Sequence, residues 1–592
     1  MKDGKAVSVI SRCCFPQSNA CHRHRLRYRY LGFPKLITNM RLEAGKRSEW
    51  KDGMMKEISL DPNDQKSPKV LVSQILGKLH ATSAKCTHYG APLIKGVLSS
   101  DGCITCPWHG AKFSICKDGD IEDAPGLNPL QSFQIVFDGD QVFVELDPEL
   151  AKATEFGRLP LKCRSGVKRD EPGVVVIGGG SAGQFFVEEI RRLDFVGKVT
   201  LISQEPHLPL DRTKLSKALI TDPKKISLRD ESFYKDAEID IKISNAVTEI
   251  DLKGRSVGLS DGSRLKYTRL IVATGSLART LPLAGSELKG ISTLRNIADT
   301  QTIASWLSGE AGPKKTIALI GSSFICMELA AFASKKENVE VHVIGMDKVP
   351  LANILGEEIG SALKKFHEKN GVKFHLQAGI EKFVPSESDL SHVGGVALKG
   401  GEVIKCDGVV LGVGARPNTE LLKSAGIALE NDGSVVVDEY LRIRDTAAQG
   451  LVYAIGDIAK YPDLLTNGDL TRIEHWNVAA NHAIAAAKNI ALEQKSAALV
   501  PFTKPAIFWS AQGQQLRYVG TGKASKWEQV VIDGNADELK FVAYYYKGDE
   551  VVAVATMQRD PAMAQAAELF SRKKFPSVSQ VQGGVDLFSF KL

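Results

Sequence analysis

Residues 174–193 read VVVIGGGSAGQFFVEEIRRL. Four apolar residues run into a glycine turn and then into apolar positions at helical spacing, which predicts a buried strand, a tight loop and a helix. The loop, Gly178-Gly179-Gly180-Ser181-Ala182-Gly183, has the spacing G-x-G-x-x-G. Between a strand and a helix, that spacing lets the backbone approach a pyrophosphate at a helix N-terminus. The next strand, KVTLIS, ends at Gln204-Glu205. The Glu205 carboxylate can accept hydrogen bonds from a ribose diol.

The same form returns from Thr316 as TIALIGSSFICMELAAFASKK, with Gly321 where Gly178 stands in the first unit. Two such units predict two nucleotide-binding α/β domains. RLIVATGS (269–276), with Thr274 and Gly275, and GLVYAIGDIA (450–459), with Gly456 and Asp457, are two further strand–loop elements. Asp457 at a helix start can bind ribitol hydroxyls, which points to FAD. The FAD domain is then split, in halves 173–300 and 426–495, around an inserted NAD(P) domain at 301–425. Beyond Pro501 short strands and one helix predict an α+β domain over 496–592.

Upstream, 54–150 reads as all-β, with runs such as KVLVSQI and QIVFDGDQVFVEL broken by Gly-Asp pairs. A polar, basic linker covers 151–172. Residues 1–53 form a basic extension. Up to Arg41 the chain holds nine Lys/Arg and one acid, which leaves a body near neutrality within a total of +7. The body therefore offers no case for nucleic-acid binding. The extension suits a mitochondrial targeting segment, against a disordered basic tail or a true start at Met40 or Met54, which leaves the location mitochondrial or cytoplasmic. No apolar run approaches a membrane span.

The all-β segment holds CTHYG (86–90) and CPWHG (106–110). Cys86, His88, Cys106 and His109 follow C-x-H-x17-C-x2-H. Two thiolates and two imidazoles can hold zinc, or a [2Fe–2S] cluster with two Cys on one iron and two His on the other. Each half supplies one ligand of each kind, so the loops must face each other. CTHYGAPL and CPWHGAKF resemble the Rieske pattern. High-potential Rieske proteins carry a further Cys in each loop and hydroxyl donors beyond the second. Here those positions are Ala91, Trp108, Ala111 and Phe113, which implies a potential near the low end of about −150 to +300 mV. Cys103 and Cys116 read as bystanders, with a disulfide between them left open.

From about Val174 to Pro576 the chain resembles the pyridine-nucleotide-disulfide oxidoreductase fold, and within it apoptosis-inducing-factor and oxygenase-coupled ferredoxin reductases. PHLPLDRTKLSK, ATGSLAR, GVGARPN, RIEHW and IFWS carry the resemblance. With a Rieske segment in front, the whole resembles apoptosis-inducing factor 3-like proteins. The resemblance implies Arg212 and Arg279 on the adenosine side of FAD. It implies Lys217 beside the flavin paired with Glu328, and Trp476 and Trp509 around the isoalloxazine. It also implies a homodimer. Leu210 and Thr213 depart from a common Tyr and Pro. From Val174 onward no redox C-x4-C or C-x-x-C pair occurs, so thiol relay chemistry is not expected.

The second loop, GSSFIC, keeps Gly321 but has Ser323 and Cys326 where glycines are expected. Cys326 puts a Cβ where strand and helix should approach closely. The ribose-binding acid is replaced by Gly345, with Asp347 and Lys348 beyond, so NADPH is as open as NADH. The expected function is an FAD-dependent NAD(P)H oxidoreductase passing electrons to a Rieske cluster and on to an external acceptor. Alternatives are a reductase component of an oxygenase system, or a redox-sensing, apoptosis-related flavoprotein with little turnover.

Overall fold

The computed structural model describes residues 40–152, 166, 168, 171–308, 314–466, 468–521, 527–590 and 592. Residues 1–39 and most of the linker expected at 151–172 lie outside them. Among the described residues no helix is long and apolar enough to cross a membrane.

Alternating side chains build the first sheet. In Gln141–Leu146, Val142, Val144 and Leu146 point inward and the residues between them do not. Six antiparallel strands run in the order Met40–Lys46, Gln141–Leu146, Ser132–Asp138, Lys78–Ser83, Lys69–Ile75, Met55–Ser59. A four-stranded sheet, Val97–Ser99, Cys103–Thr105, Lys112–Ser114 and Asp120–Asp123, accompanies it. The start expected at 54 is corrected to about 40. Met40 pairs with Leu146 and Lys46 with Gln141, and Leu42 and Ala44 are buried. A register shift between Glu43 and Gly45 breaks the alternation, and basic flanks make this strand read as tail.

The first α/β sheet is parallel through Ile239–Lys242, Val199–Ile202, Gly173–Ile177 and Arg264–Val272. Val452–Ala454 returns from far along the chain to pair in parallel with Arg264–Val272, so this domain is assembled from two separated halves. Every residue of Gly173–Ile177 is buried, as a strand covered on both faces requires.

The inserted sheet is parallel in the order Ile291–Thr293, Gly408–Leu411, Lys315–Ile320, Val339–Ile344, Val372–His375. Its boundaries differ from the expected 301–425. The first strand lies before 301, and the helix Glu420–Ser424 places Leu422 in the core of the first domain. A three-residue edge strand carries too little periodicity to be read. The C-terminal part is a five-stranded antiparallel sheet from Ala506–Ala511 to Glu550–Met557, with the helix Ala562–Ser571 against it.

Candidate functional site

The Cys–His loops are one turn made twice. Cys86 N donates to Ala91 O at 2.8 Å and Gly90 N to Cys86 O at 2.9 Å. Cys106 N donates to Ala111 O at 2.8 Å and Gly110 N to Cys106 O at 3.2 Å. Gly90 and Gly110 close the turns at φ +75° and +72°, a region that other residues rarely adopt. Cys86, Ala91, Cys106, Ala111 and Phe113 share one buried apolar cluster.

Within this frame the ligand candidates meet in pairs. The Nδ1 atoms of His88 and His109 lie 3.1 Å apart. Two nitrogens on one tetrahedral ion at about 2.1 Å would be about 3.4 Å apart. The thiols of Cys86 and Cys106 hydrogen-bond each other: that bond, with burial, raises Cys86, while Cys106 is lowered against its burial by the bond from Cys86. Burial holds both imidazoles in the neutral, ligating form, His88 down to about 4. Separate thiol and imidazole pairs fit a cluster with each pair on its own iron. A single zinc would draw all four together, and among the described residues no three such side chains converge on one ion. Cys103 and Cys116 are thiols, so the disulfide left open between them is not formed.

The first glycine loop opens on a cavity of about 570 Å³. A Cβ at Gly178 would collide with Ala273 O, and one at Gly183 with Gly178 O. At Gly180 a Cβ would meet nothing within 4 Å. Gly180 therefore leaves open a cradle that a side chain would fill, at the N-terminus of the helix Ser181–Arg192, where an anion is favoured. Arg212, Lys217, Gly275, Gly456, Asp457 and Trp476 also line the cavity. Thr274 stands behind it, its hydroxyl donating to Asn418 O at 2.6 Å.

Glu328, from the helix of the second glycine loop, reaches this same cavity. It accepts from Lys217 Nζ at 3.0 Å, Ser216 Oγ at 2.5 Å and Ser510 Oγ at 2.6 Å. Three separate segments thus meet at one buried carboxylate. Asp457 accepts from Ser276 Oγ at 2.6 Å and from Arg295 at 2.9 Å. Arg295 was not legible in the sequence, since it belongs to no motif. Glu205 is ion-paired to Arg212 and is not part of the cavity lining, its carboxylate already engaged. Arg279 is exposed, with Nε donating to Ala415 O at 2.9 Å; it too is outside the lining.

The second loop keeps the backbone of the first. Gly321 has φ +108°, against +119° at Gly178, and a Cβ there would collide with Gly412 O. Ser323 borders the cavity. Cys326 does fit: its Sγ lies where a Cβ at Gly412 would be and faces Ile320 O at 3.5 Å. Burial pushes this thiol up to about 12. Beyond the next strand, Lys348 is ion-paired to Glu357 at 2.5 Å.

The two sites meet at Trp509. Its ring is buried, lines the cavity, and lies 4.3 Å from the His109 ring, centroid to centroid, and 5.7 Å from His88. His475 lies 5.1 Å away and is held neutral, at about 3, by burial and the Lys217 charge. The segment carrying the two Cys–His turns is fastened here. Lys112 Nζ pairs with Glu568 at 2.9 Å, and Thr105 Oγ1 donates to Glu568 at 2.7 Å. Arg517 Nε donates to Trp108 O at 3.1 Å, and Asn477 and Asn481 bond both polar groups of the Ala124 backbone. The sequence signals none of these contacts, which join residues hundreds of positions apart.

Three family models match the chain: pyridine nucleotide-disulphide oxidoreductase over 172–483, Rieske [2Fe-2S] domain over 41–134, and reductase C-terminal over 507–587. Apoptosis-inducing factor 3 of Homo sapiens is 35% identical over 522 residues, covering 88% of this chain and 82% of its own length. Rhodocoxin reductase of Rhodococcus erythropolis is 29% identical over 71% of this chain and 93% of its own. Among solved structures, a ferredoxin reductase from Rhodopseudomonas palustris superposes with TM-score 0.65 at 28% identity, over 71% of this chain and all of its own.

Proposed function

The chain belongs to the pyridine nucleotide-disulphide oxidoreductase family, with a Rieske [2Fe-2S] domain in front, and from that premise we propose an internal path from nicotinamide to iron–sulfur centre and onward to an external one-electron acceptor. The observation that carries it is Trp509, which lines the flavin cavity and touches the imidazole pair. When bound, FAD accepts hydride from NAD(P)H and the cluster carries single electrons.

The residues divide the work. Cys86 and Cys106 would hold one iron of the cluster and His88 and His109 the other. Gly178, Gly180 and Gly183 let the helix Ser181–Arg192 present its N-terminus to the pyrophosphate. Arg212 supplies positive charge on the phosphate side, oriented by Glu205. Thr274, Gly275 and Gly456 shape the loops against the flavin, and Asp457, aimed by Arg295, takes ribitol hydroxyls. Trp476 and Trp509 wall the ring and keep water out. Lys217 places a positive charge beside it and Glu328 fixes that charge; these two tune the reaction without moving a proton. Gly321 and the edge near Ser323 receive the nucleotide. The cluster potential belongs near the low end of the Rieske range, since Ala111 and Phe113 offer the sulfurs no hydroxyl. The acid-poor, basic sequence before Met40 supports mitochondrial import, to be read with a reporter fused to that segment.

Anaerobic stopped-flow mixing of loaded protein with NADH, then NADPH, tests the reading. Flavin absorbance should bleach first and the cluster should follow within the same chain, at a rate independent of protein concentration. Flavin that stays oxidised for minutes with both nucleotides overturns it.

A further inference from the structure

Three aromatic rings border the paired imidazoles; Trp108 lies edge-on to His109 at 6.3 Å, and the two nearer rings differ in exposure. Trp509, on the cavity side, is 4% exposed. Tyr89, on another side, stacks on His88 with ring centroids 3.8 Å apart and 18° between planes, and meets His109 edge-on at 5.5 Å. Tyr89 is 38% exposed. Its hydroxyl donates to Asp211 and lies 3.2 Å from Thr213 Oγ1, so the ring is fixed over His88 while its face reaches solvent. Lys214 Nζ stands 5.4 Å from the ring centroid. Its counter-ion Asp211, 3.7 Å away, is buried and already accepts from Tyr89 and Thr213. The charge shown to solvent beside the ring is therefore that of Lys214, and Lys85, at the root of the same loop, is exposed as well.

We propose that Tyr89 is the outlet through which a cluster held by His88 and His109 is discharged, and that the acceptor is an acidic one-electron carrier protein. The proposal rests on the Rieske reading above. Electron transfer falls steeply with the gap between centres, and the cavity side of the imidazole pair is covered by Trp509 and its neighbours. A carrier seated on the Tyr89 ring meets an aromatic already in van der Waals contact with His88, which would hold the cluster. A cation over an exposed aromatic favours an anionic partner and speeds encounter at low salt. Each NAD(P)H becomes NAD(P)+ and a proton, and its two electrons leave singly, reducing two carriers. No bond forms or breaks at the ring.

The test uses the holoenzyme with oxidised cytochrome b5 as an acidic haem carrier and cytochrome c as a basic one. The cluster is first reduced with dithionite and the excess removed anaerobically by gel filtration, so discharge is measured without nucleotide. Y89L should lower the rate of cytochrome b5 reduction at least tenfold. Y89F, which keeps the ring and loses the hydroxyl, should stay within threefold of wild type. In a measurement without turnover, K214E should weaken binding of cytochrome b5 to the oxidised enzyme at least fivefold at low salt, and should not weaken binding of cytochrome c. A wild-type rate in Y89L overturns the outlet, as does a Y89F loss equal to that of Y89L, which would place the effect in the hydroxyl. Unchanged cytochrome b5 binding in K214E overturns the acidic carrier. A Y89L cluster that NAD(P)H no longer reduces, where it reduces the wild type, would make the ring a docking contact and overturn the outlet too. Failure of NAD(P)H to reduce the wild-type flavin bears on the internal path alone, because the dithionite arm bypasses it.

Discussion

The two glycine loops of this chain share a backbone and part company in what they can hold. Both begin with a left-handed glycine pressed against a carbonyl, Ala273 O in one and Gly412 O in the other. Both put an extended residue at the helix N-cap, Gly180 at φ −86° and Ser323 at φ −96°. At the third fingerprint position Gly183 has no room for a Cβ, whereas Cys326 lodges its sulfur in the space left by Gly412. A fingerprint glycine is therefore obligatory only where its neighbours are fixed backbone. Where a neighbour's missing side chain leaves space, as at Gly412, a larger residue can take up that volume.

Exchanging residues between the loops gives the largest expected effect. Gly183→Cys should abolish flavin retention and cost about 3 kcal/mol or more, because the new Cβ meets the Gly178 carbonyl. Cys326→Gly should cost only about 1 kcal/mol, the difference of a helical glycine. Flavin content and urea unfolding read both, and equal losses would break the comparison.

Next comes the carboxylate that links the loops, since Glu328 leaves the second and serves the cavity of the first. Glu328→Ala strands Lys217, Ser216 and Ser510. A loss of about 3 kcal/mol is expected, with flavin reduction slowed at least tenfold in stopped flow. Glu328→Gln should keep most of the stability and not the rate.

A third contrast is acid sensitivity. Behind the first loop, His482 accepts from Gly456 N at 3.3 Å and is held at about 3 by burial. The unfolded chain binds a proton there near pH 6.5 and the folded chain does not, so stability is full above that pH and falls as pH drops toward 3. The slope is about 1.4 kcal/mol per pH unit for each such imidazole, or about 2 kcal/mol at pH 5. His482→Gln should remove about one proton from the uptake on unfolding, measured by urea titrations at pH 7 and pH 5. An unchanged slope would place the acid sensitivity elsewhere. The smallest effect is expected from Ser323→Gly, which clears the cavity edge: a three- to tenfold lower KM for the nucleotide, or about 1 kcal/mol, with flavin content unchanged.

What the sequence disclosed follows from how local each feature is. The Cys–His turns and the first glycine loop are closed by residues within six positions of one another, so their backbone form is local enough to read in the sequence. The split of the flavin domain was legible because Gly456 and Asp457 repeat a recognisable strand–loop form. Arg295, Tyr89 and Glu568 were not. Each is fixed by a partner brought close by folding, Tyr89 by Asp211 and Glu568 by Lys112 across 456 positions, and no periodicity records such a meeting. The strand Met40–Lys46 was missed for a related reason, since its partner Gln141–Leu146 lies at the far end of the domain.

The latch between Lys112 and Glu568 has an effect on competition. A tethered partner faces its reductase at an effective concentration on the order of millimolar, and a buried ion pair keeps it seated. A freely diffusing ferredoxin at micromolar level would have to displace it to draw from the flavin. The chain should thus behave as an insulated line, indifferent to the surrounding pool of small carriers on the flavin side and open to them only where the cluster meets solvent.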